Sequence, residues 1–114
     1  MIPIMNSKVL NSNLIHSTML GSVVHGDSLE VMKTLDGQSV DLIMTSPPFG
    51  LVRQKEYGNV ESYDYLDWFK HFAAEFHRIL KSNGSLVIDI GGAWNKGLPT
   101  RSLYQYKLLI MLCE

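Results

Sequence analysis

The 114-residue sequence predicts an α/β fold with a parallel sheet, and three observations lead to this class. Strand-like and helix-like segments alternate in the order strand, helix, strand, helix, strand, helix. The second strand segment is almost continuously apolar, which is typical of a strand buried in a parallel sheet. The strand segments end at glycine, proline or acidic residues. Parallel strands need crossover helices, so the order of the elements favours this architecture.

The first strand and helix are predicted after a polar lead-in. Residues 1–20 match neither the helical nor the strand pattern, so we expect a lead-in there and a folded part over residues 21–114. A β-branched run at residues 22–26 ends at a glycine and predicts a strand. Asp27, with a glutamate three residues later, is typical of a helix N-terminus and predicts a helix over residues 28–35.

The rest of the chain contains two more strands and two more helices. Residues 40–45 predict a strand that ends at the Ser-Pro-Pro-Phe tetrapeptide, because two prolines interrupt both ladder and helix. A long helix with an aromatic stripe should follow and end at Asn83–Gly84. The third strand is expected over residues 85–90, and a last helix from Leu103 to the terminus. The stripe repeats at helical spacing, so Trp68, Phe69, Phe72 and Phe76 are interpreted as core.

Composition excludes several classes of protein. Ten Lys and Arg residues stand against eleven Asp and Glu, so no overall positive field attracts a polyanion. The single cysteine, Cys113, has no partner for an internal disulfide, and the four histidines do not cluster at metal-ligand spacing. We therefore expect a reducing cytoplasm and no metal. No segment has the pattern of a secretory signal or the length of a membrane span.

Acidic residues mark two of the strand ends, where α/β sheets bind ligands. Asp27 follows the first strand, and its simplest interpretation is a helix cap. Asp89 lies inside the apolar run of the third strand, so its carboxylate needs either a partner or exposure at the strand end. A hydrogen-bonded turn and a functional carboxylate remain equally open for Asp89.

The tetrapeptide Ser46-Pro47-Pro48-Phe49 carries the most specific chemistry. The double proline holds a hydroxyl, a carbonyl and an aromatic ring in close order. The Ser46 oxygen and the Pro47 carbonyl both accept hydrogen bonds from an amino group, while Phe49 offers a face for stacking. This set suits a planar ligand with an exocyclic amine, such as a base flipped out of a duplex. The alternative is a proline-rich strand exit without chemistry.

Several segments together resemble a known family. They are GDSLEVMKTLDGQSVDLIMTSPPF, RQKEYGNVESYDYLDWF, LKSNGSLVIDIGGAWNKG and PTRSLYQYKLLI, and they cover roughly residues 21–112. The chain resembles the permuted amino-methylating DNA methyltransferases, and above all the PvuII-type cytosine-N4 enzymes of restriction-modification systems. The likeness rests on several motifs in the right order and spacing.

The resemblance implies part of a Rossmann-like, S-adenosylmethionine-dependent methyltransferase fold, namely its strands three, four and five with their helices. It implies methyl transfer from S-adenosylmethionine to the N4 amino group of cytosine, flipped out of double-stranded DNA. Ser46, Pro47, Pro48 and Phe49 match the family's catalytic motif, with Ser46 and Pro47 also near the cofactor. Asp89 would help to receive the released proton, and Asp27 would lie near the cofactor adenine.

The chain also departs from the family pattern. No Phe-x-Gly-x-Gly cofactor turn occurs in the 114 residues, and in the permuted type this turn and the target-recognition region come later. We therefore expect an N-terminal part of the catalytic domain that is inactive alone, with a separate C-terminal half as the partner if the enzyme is split. The alternatives are adenine-N6 methylation, and a non-catalytic remnant that binds a partner subunit. The recognition sequence is not encoded here, because base-reading contacts come from the missing region.

Overall fold

The computed structural model describes residues 14–48, 64–95 and 97–114. The strands are β1 (Leu14–Ser17), β2 (Ser22–Val24), β3 (Val40–Thr45) and β4 (Leu80–Ile88). The helices are α1 (Ser28–Met32), α2 (Tyr65–Ile79) and α3 (Tyr104–Cys113). This alternation confirms the α/β class. The chain divides into two compact units, one formed by the residues before Met44 with Ala74–Ser85, and the other by Met44–Ala73 with Leu86–Glu114.

The first unit begins with an antiparallel hairpin of β1 and β2. Leu14 pairs with Val24 and Ser17 with Ser22, with an irregularity in β1 between Leu14 and His16. The Thr18 amide donates to the Gly21 carbonyl at 2.8 Å and closes the turn. The sequence predicted no regular element before residue 21, and it placed β2 in a parallel sheet. Within the described residues β2 pairs only with β1. The sequence did not predict β1 because a strand of four residues is too short to show a pattern by itself.

Helix α1 begins as the sequence predicts but ends earlier. The Asp27 carboxylate accepts from the backbone amides of Leu29 and Glu30 at 2.8 and 3.3 Å, so it caps the helix. The α-helix ends at Met32, and the predicted continuation to Leu35 is a tighter turn. There the Leu35 amide donates to the Met32 carbonyl, three residues back, at 3.0 Å.

Arg78, on helix α2, completes the C-terminal end of α1. Its guanidinium donates to the carbonyls of Met32 and Leu35, each at 2.9 Å, and to the carboxylate of Glu75 at 2.8 Å. Carbonyls at the C-terminal end of a helix lack amide partners four residues further on, so a forked cation suits these two, and the Met32 carbonyl accepts from Arg78 in addition to the Leu35 amide. Arg78 thereby stabilises the preceding helix.

Replacing Arg78 with methionine should lower the free energy of unfolding by about 2 kcal/mol, because two carbonyls and a half-buried carboxylate lose a charged donor. Urea titration of the full chain measures this change. Lys70→Met is the matched control on the same helix, since its ion pair with Asp67 is exposed at both ends and should contribute less than about 0.5 kcal/mol. Equal losses for the two variants would contradict the capping role of Arg78.

Strands β3 and β4 form the second pair, and they are parallel. The Ser39 amide donates to the Ile79 carbonyl at 2.9 Å, and the Asp89 amide donates to the Thr45 carbonyl at 3.0 Å. From the first of these hydrogen bonds to the second, the residue numbers rise along both strands, so the two strands run in the same direction. This pair confirms the parallel sheet that the sequence predicts for these segments.

The boundary between α2 and β4 differs from the prediction. The helix ends at Ile79 and the strand begins at Leu80, so Asn83–Gly84 lies inside the strand and does not end the helix. The backbone preceding β3 takes up the carbonyl of Ile79, which diverts the chain into the sheet before Asn83. Gly84 is needed there for a different reason, since a Cβ atom would lie 3.0 Å from the Lys81 carbonyl and 3.2 Å from the Asp41 carbonyl.

Aromatic side chains of α2 and α3 form the core of the second unit. Tyr65 and Phe69 are stacked with centroids 5.9 Å apart, and the ring of Tyr104 packs edge-on against Tyr65 at 4.9 Å. Phe69 is 1% exposed, and Phe76, on the part of α2 that belongs to the first unit, is also buried. The interpretation of the aromatic stripe as core is confirmed for Phe69 and Phe76, whereas Trp68 and Phe72 are only partly buried. None of the helices within the described ranges is both long and apolar enough to cross a membrane.

Candidate active site

The Ser-Pro-Pro turn leaves the sheet at the C-terminal end of β3. Ser46 is exposed, and Pro47 and Pro48 are partly buried. The Tyr65 hydroxyl donates to the Pro48 carbonyl at 2.7 Å. Within the described part of the chain, no hydrogen bond engages the Ser46 hydroxyl or the Pro47 carbonyl. Phe49, the fourth residue of the motif, lies outside the described residues.

Asp89 lies beside this turn, at the end of β4. Its amide donates to the carbonyl of Thr45, the residue directly before Ser46, at 3.0 Å. Asp89 is exposed, as expected for a carboxylate at a strand end. The structure therefore brings Ser46, Pro47, Pro48 and Asp89 to the same end of the parallel pair.

Asp27 belongs to the first compact unit. It is exposed, and one of its carboxylate oxygens caps α1 through the two amides of Leu29 and Glu30. The interpretation of Asp27 as a helix cap is thus confirmed. A role of Asp27 near a cofactor adenine stays a prediction. In that role Asp27 would use the second oxygen of its carboxylate.

Two buried tyrosines support the turns that follow β3 and β4. Tyr65 holds the Pro48 carbonyl, and the Tyr104 hydroxyl donates to the carbonyl of Gly91, two residues after Asp89. Burial, with a smaller contribution from Tyr104, raises the pKa of Tyr65, so its hydroxyl stays protonated and remains a donor. Neither tyrosine is among the site residues that the sequence predicts. A tyrosine on an apolar helix face could have indicated this role, because a buried hydroxyl needs a hydrogen-bond acceptor nearby.

The loop after Gly92 closes on itself. Trp94 and Arg101 form an isolated antiparallel bridge, and the guanidinium carbon of Arg101 lies 5.0 Å from the centre of the Trp94 ring. The Asn95 side chain donates to the Thr100 hydroxyl at 2.9 Å. This element lies between β4 and α3. The described ranges contain no group of three or more His, Cys, Asp or Glu residues that could hold a metal ion.

The three candidate groups at this end of the β3–β4 pair share one property. The Ser46 hydroxyl, the Pro47 carbonyl and the Asp89 carboxylate are all acceptors, and only the hydroxyl also donates. Such a set suits an amino group with two hydrogens, or a cation, better than it suits a phosphate. The chemistry that it supports is the activation of an amine and the removal of a proton from it.

The chain is similar in sequence to known DNA methyltransferases. The family model described as "DNA methylase" (N6_N4_Mtase) matches residues 40–114. The type II methyltransferase M.PvuII of Proteus hauseri is 48% identical over 99 residues, which cover 87% of this chain and 30% of that protein. The DNA adenine methyltransferase YhdJ of Escherichia coli K12 is 36% identical over 70 residues, 59% of this chain and 24% of its own.

A solved structure extends the comparison to the fold. The PvuII DNA methyltransferase, titled cytosine-N4-specific, superposes with a TM-score of 0.72 at 47% identity, covering 88% of this chain and 36% of that one. The chain thus spans between 24% and 36% of the length of these three relatives. Since the family model covers residues 40–114, which include the Ser-Pro-Pro turn and Asp89, the chain belongs to the DNA methylase family.

Proposed function

We propose that this chain supplies one wall of the active site of a DNA methyltransferase that modifies the N4 amino group of cytosine in duplex DNA. S-adenosylmethionine is the proposed methyl donor, and a restriction-modification system in a prokaryotic cytoplasm is the proposed setting. The observation that carries the proposal is the Ser-Pro-Pro turn beside Asp89 at the end of a parallel strand. The 48% identity with M.PvuII supports the cytosine-N4 assignment over the other members of the family.

The fold supports a Rossmann-like methyltransferase of the permuted type. We assign β2, β3 and β4 to strands three, four and five of such a sheet. The parallel pairing of β3 with β4 is expected for strands four and five. Within the described residues β2 does not pair with β3, as expected if two further strands lie between them.

The acceptors on the turn address the weakness of cytosine as a nucleophile. The lone pair of its amino nitrogen is delocalised into the ring, so the planar amine reacts poorly. Hydrogen bonds from the two amino hydrogens to Ser46 Oγ and the Pro47 carbonyl favour a pyramidal nitrogen whose lone pair points at the methyl group. S-adenosylmethionine, when bound, supplies that methyl group on a positively charged sulfur, which keeps the electron pair of the broken bond.

Asp89 completes the proposed chemistry by accepting a proton. The amino nitrogen carries a positive charge once the new nitrogen–carbon bond has formed, so one of its protons must leave. Ser46 receives that proton while it passes its own to the Asp89 carboxylate, and the exposed position of Asp89 allows release to water. No covalent intermediate with the protein is required.

The residues present fit a sulfonium cofactor. The carbonyl of Pro47, the hydroxyl of Ser46 and the carboxylate of Asp89 place partial or full negative charge at one strand end, where a positive sulfur is stabilised. Asp27 is proposed to contact the adenine part with the carboxylate oxygen that is not engaged in the cap.

A hybrid enzyme tests this proposal. In it, the 99 residues of this chain that align with M.PvuII replace their counterparts in that protein. The hybrid is incubated with duplex DNA and S-adenosylmethionine, and the DNA is digested to nucleosides for mass spectrometry. N4-methylcytosine is the expected product. An unmodified digest, from a hybrid shown to be folded, would contradict the proposal.

The same experiment separates the alternatives. N6-methyladenine as the product would establish the adenine-specific reading, which the 36% identity with YhdJ favours. The non-catalytic alternative, a remnant that binds a partner subunit, predicts no methylation in the hybrid. If the natural enzyme is split, a separate C-terminal half added to the 114-residue chain should restore methylation in trans.

Replacing Phe49 with alanine in the hybrid should weaken capture of the flipped base, because base–aromatic stacking contributes about 1–3 kcal/mol. Phe49→Tyr is the matched control and should bind normally, since it keeps the ring face. Affinity is measured on duplexes with a mismatched, easily flipped target. An alanine variant that binds this DNA as the parent does would rule out stacking by Phe49.

A further inference from the structure

We propose that Tyr65 and Tyr104 form a clasp that sets the spacing between the Ser-Pro-Pro turn and the turn after Asp89. The tyrosine clasp is defined by two hydroxyl–carbonyl hydrogen bonds, from Tyr65 to Pro48 and from Tyr104 to Gly91, and by the contact between the two rings. Its importance for methyl transfer rests on the function proposed above, whereas its effect on the two turns does not.

Both turns depend on outside contacts for their position, although the proline rings fix φ within the first turn. Pro47 and Pro48 have no backbone N–H groups, so the first turn cannot be held by donors of its own. Gly91 and Gly92 have no side chains, so nothing local restricts the second turn. A hydrogen bond from outside to a carbonyl of each turn is therefore the feature that orients its peptide groups.

Burial of the tyrosines makes those hydrogen bonds selective. Tyr65 and Tyr104 are 0% and 2% exposed, so water does not compete for their hydroxyls. Leaving a buried hydroxyl without an acceptor costs its full desolvation free energy, so each hydroxyl keeps its hydrogen bond to the carbonyl. The rings meet edge-on with centroids 4.9 Å apart and an interplanar angle of 63°, a favourable aromatic geometry.

The hydrogen bonds, the ring contact and the chain together form a closed loop that includes Ser46 and Asp89. One side is the hydrogen bond from the Asp89 amide to the Thr45 carbonyl, 3.0 Å long. From there the chain runs through Ser46 to Pro48, across the tyrosine clasp, and back through Gly91 to Asp89. Ser46 and Asp89 are therefore members of one closed loop of contacts. Opening the loop at either hydroxyl should release the spacing between them.

Tyr65 and Tyr104 are thus positioning residues, because they act through Pro48 and Gly91. A merely structural role would also explain two satisfied hydroxyls, so the test must separate the two. The variants are Tyr65→Phe and Tyr104→Phe, which remove one oxygen each and keep the ring contact. Tyr106→Phe on helix α3 is the matched control, since Tyr106 is 58% exposed and lies outside the loop.

Hydrogen exchange in the full 114-residue chain gives the first readout. In either variant the Asp89 amide should exchange roughly fivefold faster, as expected for the loss of one hydrogen bond of about 1 kcal/mol. The Ser39 amide, which is bonded to the Ile79 carbonyl, should keep its rate. Equal acceleration at both amides would mean general destabilisation and would overturn the clasp.

Kinetics of the hybrid enzyme give the second readout. Each single variant should lower kcat about tenfold, since small misplacements of reacting groups are costly, while KM for S-adenosylmethionine stays within twofold. The double variant should resemble the single ones, because the same loop is already open. Unchanged kcat in both variants, or independent losses that multiply to about a hundredfold, would overturn the clasp. Localised exchange at Asp89 in a hybrid that makes no methylated base would instead contradict the proposed function and leave the clasp intact.

Discussion

Replacing Ser46 with alanine is expected to lower kcat for methyl transfer in the hybrid enzyme by about 10²–10³-fold, the scale seen when one preorganised hydrogen-bonding group is lost. The hydroxyl is proposed to accept from the target amine and to pass its proton towards Asp89. Both roles belong to the transition state, so kcat and kcat/KM should fall together, while the affinity for S-adenosylmethionine changes little. Single-turnover transfer of a radiolabelled methyl group measures the chemical step directly.

The control for Ser46 is another exposed serine of the same strand pair. Ser85 lies on β4, and Ser85→Ala should keep the parent turnover because its hydroxyl is not part of the candidate site. Ser46→Thr keeps a hydroxyl and should retain more activity than the alanine variant. Turnover of Ser46→Ala at the parent rate, with saturating DNA, would remove Ser46 from the mechanism.

Replacing Phe69 with alanine should have the largest effect on stability, a loss of about 3–5 kcal/mol in the free energy of unfolding. Phe69 is 1% exposed, and its ring is stacked on Tyr65 and lies near Trp68 and Phe72. The substitution leaves a cavity against Tyr65 as well as removing apolar contact. Since small domains are stable by only about 5–15 kcal/mol, this loss is a large fraction of the total.

Denaturant unfolding of the full chain measures the effect of Phe69→Ala. Leu109→Ala is the control, since Leu109 is an apolar residue of α3 that is 61% exposed, and its removal should change stability by less than about 0.5 kcal/mol. Phe69→Leu fills most of the space and should lose less than the alanine variant. Similar losses at Phe69 and Leu109 would mean that the aromatic residues do not form the core.

Local patterns in the sequence predicted most of the helices and strands. The elements and boundaries that were not predicted depend on contacts between residues far apart in sequence. The Asp27 cap, the β3 segment and the aromatic face of α2 were predicted because neighbouring residues determine them. Asn83–Gly84 resembled a helix end, but the helix ends at Ile79, whose carbonyl is bonded to the Ser39 amide, 40 residues away in sequence. Strand β1 was missed because it depends on pairing with β2.

The sequence by itself determined the α/β order, the motif Ser-Pro-Pro and the likeness to amino-methylating DNA methyltransferases, because residue type, spacing and missing proline donors are local properties. Only the tertiary structure decided what lies beside the motif. The bond from the Asp89 amide to the Thr45 carbonyl brings Asp89 to the strand end where Ser46 lies, and the two tyrosines hold Pro48 and Gly91. These partners are 13 to 44 residues apart in sequence, and no local preference specifies a hydrogen bond over such a separation.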